Sequence, residues 1–166
     1  GGVVQGSDEG AHASRRSRMM SQGQDAARII RGTSFSEDGH QGEHFDYMLA
    51  NRPFGVEWKK VEDTIRTEAE KLGFGGRFGA GLPRINDGSF LFLQHMISKM
   101  KPPSEGGSRL AIVFTGSPLF TGAAESGESA IRRWGTENER HDAGAGLPRQ
   151  VCGRQSAAWG TGVHAG

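Results

Sequence analysis

Apolar residues in this chain change their spacing several times, and each change marks an element. Ile29 and Ile30 are followed by the turn-rich run Gly32 to Gly39. Phe45 to Ala50 is a short strand signal that ends at Asn51, and Pro53 and Gly55 forbid its continuation. From Trp58 the period becomes helical. Trp58, Val61, Ile65, Ala69 and Leu72 fall on one stripe, Glu62 and Arg66 form a favourable pair, and Gly73 is placed to stop the helix. Gly73 to Gly81 is a glycine-rich stretch with Phe74, Arg77 and Phe78, expected to be a flexible loop. It lacks G-x-G-x-x-G spacing and follows a helix, so it is not a nucleotide loop.

Asp87 or Ser89 can cap the next helix, Phe90 to about Lys101. Its apolar residues leave little polar face, which predicts burial, and Pro102-Pro103 ends it. Arg109 to Phe114 is continuously apolar after its first residue and suits a central parallel strand. Strand, helix, helix, strand with these lengths predicts one α/β crossover with an inserted helix. Gly116-Ser117-Pro118 breaks the strand, and a brief helix runs from Ser126 or Ser129 through Trp134. Periodicity is absent on both sides of this region. The chain therefore divides into a disordered arm (1–28), an α/β domain (29–134) and a poorly ordered tail (135–166).

Composition narrows the picture. With 27 glycines among 166 residues and 34% hydrophobic residues, the chain has room for one domain, with a packed part smaller than the whole. A net charge of +1 provides no global field for nucleic acid, so any grip on DNA comes from a local patch or from partners. Arg15, Arg16, Arg18, Arg28 and Arg31 give the arm a basic bias. The single Cys152 excludes an internal disulfide and a multi-cysteine zinc site. No apolar run approaches ~20 residues and no secretory core opens the chain, which leads to the expectation of a soluble, cytoplasmic protein. The six histidines show no ligand spacing, His95 reads as a core residue, and no metal site is predicted. Neither a G-x-S-x-G elbow nor a P-loop is present, so hydrolase and NTPase readings lack support.

The candidate chemistry sits at Asn51, Arg52, Pro53 and Phe54. An amide, a backbone carbonyl and a stacking ring follow a strand, where open α/β sheets bind ligands. The run resembles the Asn-Pro-Pro-Phe motif of N6-adenine DNA methyltransferases, with Arg52 in place of the first proline. The resemblance extends from about Ile29 to Trp134 and is to the modification subunit of type I restriction-modification systems. It is most specific at Gly76 to Arg84 and Asp87 to Ser89.

This resemblance implies an α/β, Rossmann-like fold of the S-adenosylmethionine-dependent methyltransferases, present in part, with an open and mostly parallel sheet flanked by helices. It implies methyl transfer from S-adenosylmethionine to adenine N6 in double-stranded DNA, with Asn51, Arg52, Pro53 and Phe54 as the catalytic set. It also implies specificity and restriction subunits as partners, and Arg77 and Arg84 are candidates to contact DNA or the specificity subunit.

Adenine's amine is a poor nucleophile because its lone pair is delocalised into the ring. Two acceptors, the Asn51 side-chain oxygen and a neighbouring carbonyl, can take its hydrogens while Phe54 stacks on the extruded base. Positioning does most of the work.

Two departures from the family pattern stand out. Nothing in residues 1–44 matches the family's acidic-Pro-Ala-Cys-Gly-type donor loop. The chain is therefore expected to be the middle and later portion of a methyltransferase domain with weak or absent donor binding; Thr33 to Asp38 lies where the family approaches the donor's adenine, and no donor ligand is assigned. Gly144, Ala145 and Gly146 occupy a segment that is an apolar strand in the family. Two rival readings are a noncatalytic assembly piece that presents an exposed Phe90–Met100 helix, and a DNA-binding module that uses Arg15 to Arg31.

Overall fold

The structure, a computed structural model of the 166-residue chain, describes residues 4–6, 9–51, 57–115, 122–137, 143–146 and 158–164. It forms two compact units, residues 1–42 and 43–166.

In the first unit, strand β1 (Val4–Gly6) leads to helix α1 (Glu9–Ser21) and then to strand β2 (Ile29–Arg31). β1 and β2 pair in parallel, Val4 opposite Ile29, so the segment is a strand–helix–strand crossover. This differs from the disordered arm expected over residues 1–28. α1 has no apolar stripe to reveal it, yet Glu9 in its first turn and Arg18 in its last complement the helix dipole. The Asp25 side chain accepts from the Ala27 main-chain N–H at 2.9 Å and starts the short 3₁₀ turn that delivers β2. Ile29 and Phe35 are buried. Gly39 has no space for a β-carbon against Ile30.

The second unit holds a four-stranded sheet in the order β3-β4-β6-β5, comprising β3 (Tyr47–Asn51), β4 (Arg109–Thr115), β5 (Ala143–Gly146) and β6 (Ala158–His164). β3 and β4 are parallel, and their crossover carries α2 (Glu62–Leu72) and α3 (Ser89–Ile97) as the spacing predicts. Helix α4 (Gly127–Glu137) follows β4, with the Ser126 hydroxyl accepting from Ser129 N–H at 3.2 Å. Gly73 ends α2 at φ +49, a conformation that favours glycine. At α3 the Asp87 carboxylate accepts from the Ser89 N–H at 3.1 Å, satisfying a donor of the first turn. α3 is indeed buried: Phe90, Leu91, Phe92, Gln94 and Ile97 all lie inside, with Ile65, Phe78, Leu110, Ile112 and Ile131.

Three features depart from the pattern. α2 buries Ile65, but Leu72 at the far end of its stripe is exposed. Leu110 and Ile112 of β4 are buried while Ala111 is exposed, so a continuous apolar run has only one covered face among the described residues. The segment expected to be a poorly ordered tail contains β5 and β6, and β6 pairs antiparallel with β4 along its length. A ladder joins main-chain groups and needs no apolar side chains, so a glycine-rich segment can satisfy the open side of β4. The sheet is therefore mixed: one parallel pair, then an antiparallel margin. Among the described residues no helix is long and apolar enough to cross a membrane.

Candidate functional site

Asn51 is the last residue of β3, and the parallel ladder holds its main chain opposite Val113. Arg52, Pro53 and Phe54 lie outside the described residues. Among the described residues β3 is the outermost strand of its sheet, and Tyr47 and Leu49, four and two residues before Asn51, are 75% and 86% exposed.

The start of β3 is tied down firmly. Asp46 pairs with Lys101, its carbonyl accepts from Arg109 N–H at 2.8 Å, and the Ser108 hydroxyl donates to Phe45 O at 2.6 Å. The hydrogen bond from Lys101, chiefly, holds the exposed Asp46 carboxyl below its ordinary value. An open cleft of about 450 Å³ lies at this end of the strand, lined by His44, Phe74, Arg77, Gln94, Met100 and Trp134. It is therefore separated from Asn51 by the length of β3.

Beyond the motif the chain is fixed again at Trp58. Its ring is 1% exposed, its main-chain N–H donates to Ile85 O at 3.0 Å, and its indole Nε1–H donates to Arg84 O at 2.9 Å. Sequence spacing places Trp58 in a helical stripe. In the structure it precedes α2 and anchors the chain four residues after Phe54, a role that periodicity does not reveal.

The glycine-rich stretch that receives Trp58 is packed, contrary to the flexible loop expected. Phe78 is buried, Gly79 lies so close to Gly73 that a β-carbon would overlap the Gly73 carbonyl, and Gln94 Nε2 donates to Gly81 O at 2.9 Å. Arg77, expected at DNA or at the specificity subunit, is engaged within the fold. Its main-chain N–H and its NH2 group donate to Glu68 at 2.8 and 2.6 Å, and its NH1 lies 3.2 Å from His95 Nδ1. Burial raises the Glu68 carboxyl, but the Arg77 bonds and charge outweigh it and leave the group below its ordinary value.

Arg84 is more available. Its half-exposed guanidinium stands 3.8 Å from Asp87 and 3.9 Å from Glu128, while its main-chain N–H donates to Glu128 Oε1 at 3.0 Å. Burial raises the Glu128 carboxyl, and the Arg84 N–H, the other hydrogen bonds it accepts and the Arg84 charge together bring it below its ordinary value. Among the described residues no cluster of His, Cys, Asp and Glu is arranged to hold a metal ion.

A family model described as N-6 DNA methylase matches residues 7–159. Among solved structures, a type I restriction-modification methyltransferase subunit from Streptococcus thermophilus superposes with a TM-score of 0.72 at 20% identity, covering 97% of this chain and 33% of that one. The M protein of the type I restriction enzyme EcoKI gives 0.68 at 17% identity, covering 98% of this chain and 30% of that one. A putative class I S-adenosylmethionine-dependent methyltransferase from Listeria monocytogenes gives 0.61 at 11% identity, covering 98% of this chain and 53% of that one. At these identities the likeness is one of fold, and the chain spans about a third of the length of the first two structures. No curated protein matches it.

Proposed function

The chain belongs to the N-6 DNA methylase family, and on that premise we propose that it carries the adenine-pocket part of a type I restriction-modification modification subunit. The reaction is methyl transfer from S-adenosylmethionine to adenine N6 in double-stranded DNA. The observation that carries this reading is the position of Asn51, at the carboxyl end of a parallel strand in a methyltransferase fold.

In this reading the Asn51 side-chain oxygen and the Arg52 carbonyl accept the two hydrogens of the adenine amine. Nitrogen so held moves toward a tetrahedral shape, and its lone pair leaves the ring. Pro53 restricts Arg52 to extended backbone, which directs that carbonyl. Phe54 replaces the stacking partners lost by an everted base. When bound, S-adenosylmethionine supplies an activated methyl carbon. The turn from Thr33 to Asp38, which follows β2, is the segment by which the family approaches the donor's adenine, and no donor ligand is assigned within it. It is closed by the Glu37 N–H to Thr33 O bond at 2.9 Å, and Gly32 has φ +154.

The partners in this reading are duplex DNA, a specificity subunit that chooses the sequence, and a restriction subunit. Residues 29–134 carry the adenine side of the domain. The rival assembly reading relies on an exposed Phe90–Met100 helix, and the burial of Phe90, Leu91, Ile97 and Met100 removes that support.

The test is fluorescence of a single-stranded oligonucleotide containing 2-aminopurine, titrated with the chain. Stacking on Phe54 quenches it in the native chain, and Asn51→Ala and Phe54→Ala each weaken the effect. Equal quenching by all three proteins would exclude the assignment.

A further inference from the structure

We infer that Trp58, Arg84 and Glu128 form a clamp that positions the Asn51–Phe54 motif, with Glu128 on α4 as its fixed point. The inference deepens the proposed function and rests on it.

Two anchors flank residues 52–57 in the sequence. One is Asn51, fixed by its ladder opposite Val113; the other is Trp58, fixed by two hydrogen bonds to consecutive carbonyls, Arg84 O and Ile85 O. The second anchor is only as firm as the segment that offers those carbonyls. That segment is held in turn from α4, because Glu128 Oε1 accepts from the Arg84 main-chain N–H at 3.0 Å.

Two further observations make this a built joint. Glu128 is 7% exposed, so its carboxylate is withdrawn from water and needs protein donors. Gly127 presses on the same segment so closely that a β-carbon would overlap the Leu82 carbonyl, and a β-carbon on Gly81, at φ +143, would lie 3.0 Å from the Gly127 carbonyl oxygen. α4 therefore meets the segment at main chain, where no side-chain rotamer can absorb a shift. The path runs from Glu128 to Arg84 N–H, from Arg84 O to the Trp58 indole, and from there to the motif. None of the three residues needs to touch the base. They are positioning residues, and misplacement by about 1 Å can cost up to ~10²-fold.

Trp58→Phe keeps most of the ring and loses the indole N–H. Glu128→Ala removes the acceptor, while Glu128→Gln keeps an acceptor oxygen. The probe is the same 2-aminopurine oligonucleotide, read beside thermal melting. Trp58→Phe and Glu128→Ala should each weaken binding about tenfold, and Glu128→Gln should recover all but about threefold of it. The double variant Trp58→Phe with Glu128→Ala should bind no worse than the weaker single variant, because both act through one path. Multiplying losses, or a Glu128→Gln protein as weak as Glu128→Ala, would overturn the clamp. Should Glu128→Ala not fold, Glu128→Gln and Trp58→Phe still decide.

If the native chain does not quench the probe at all, the proposed function fails. The clamp is then tested alone by amide hydrogen exchange of peptides spanning residues 51–58. Faster exchange in Trp58→Phe than in the native chain supports the clamp, and equal exchange refutes it.

Discussion

Arg77 holds Glu68 in two ways at once, through its main-chain N–H at 2.8 Å and its guanidinium at 2.6 Å. The pair closes the glycine-rich segment onto α2, and each side chain is only 16% exposed. Removing Arg77 takes from the partly buried Glu68 carboxylate the donors that hold it, at a cost of about 2 kcal/mol.

The same pair sets a pH dependence. Against the opposing effect of burial, Arg77 keeps the Glu68 carboxyl of the folded chain below its ordinary value of 4.5. As pH falls, the unfolded chain binds that proton first. The stabilisation is therefore complete above the ordinary value and is lost as pH drops through the lower, folded one. Thermal melting of Glu68→Gln should show a lower midpoint than the native chain at pH 7, with the gap narrowing as pH falls below the ordinary value of 4.5. A gap that stays constant over this range would refute the pairing.

Two glycines of one segment should respond in opposite ways. A β-carbon on Gly79 would overlap the Gly73 carbonyl, which is backbone and cannot step aside, whereas one on Gly75 meets nothing. Gly79→Ala should destabilise by about 1–3 kcal/mol, and Gly75→Ala should stay within about 0.5 kcal/mol of the native chain. Chemical denaturation of both variants is the measurement. Similar midpoints would mean that the segment is loose, as its composition alone suggests.

What could be read from the sequence follows from what side-chain patterns report. The α2 stripe, the largely apolar α3 and the run of β4 record burial, so spacing locates them. The β1–α1–β2 crossover went unseen because α1 hides its order in capping charges and β1 is three residues long. β5 and β6 went unseen because their pairing is made by main chain, about which Gly144 and Gly146 say nothing. Arg77 and Trp58 show the same limit within the candidate site. Their partners, Glu68 and the carbonyls of Arg84 and Ile85, are chosen by tertiary approach, with no spacing to announce them. The end of β3 at Asn51 is legible because Pro53, two residues further on, forbids the strand's continuation.

The outer position of β3 makes a third prediction. Among the described residues β3 is an edge strand, and with exposed Tyr47 and Leu49 it offers main-chain groups and apolar surface to other chains. Leu49→Lys should reduce concentration-dependent association in sedimentation velocity while leaving the melting temperature unchanged. A clear fall in melting temperature would show that Leu49 is packed, contrary to its exposure.

The last prediction concerns Arg52, which on the proposed function stands where the family motif has its first proline. Pro53 restrains Arg52, but nothing restrains Asn51 in the same way, since its successor is not proline. A fixed guanidinium near a cationic sulfonium donor is also unfavourable unless it turns to a phosphate or a carboxylate. Arg52→Pro removes both penalties. In a modification subunit that contains this chain and binds the donor, the backbone restraint alone should raise methylation about two- to fivefold. Asn51→Ala in the same assembly should lower it by about 10²- to 10³-fold. Tritium transferred from S-adenosylmethionine to DNA adenine measures both. If Arg52→Pro lowers the rate while Asn51→Ala still abolishes it, Arg52 contributes its side chain, and a phosphate of the bound DNA becomes its first candidate partner.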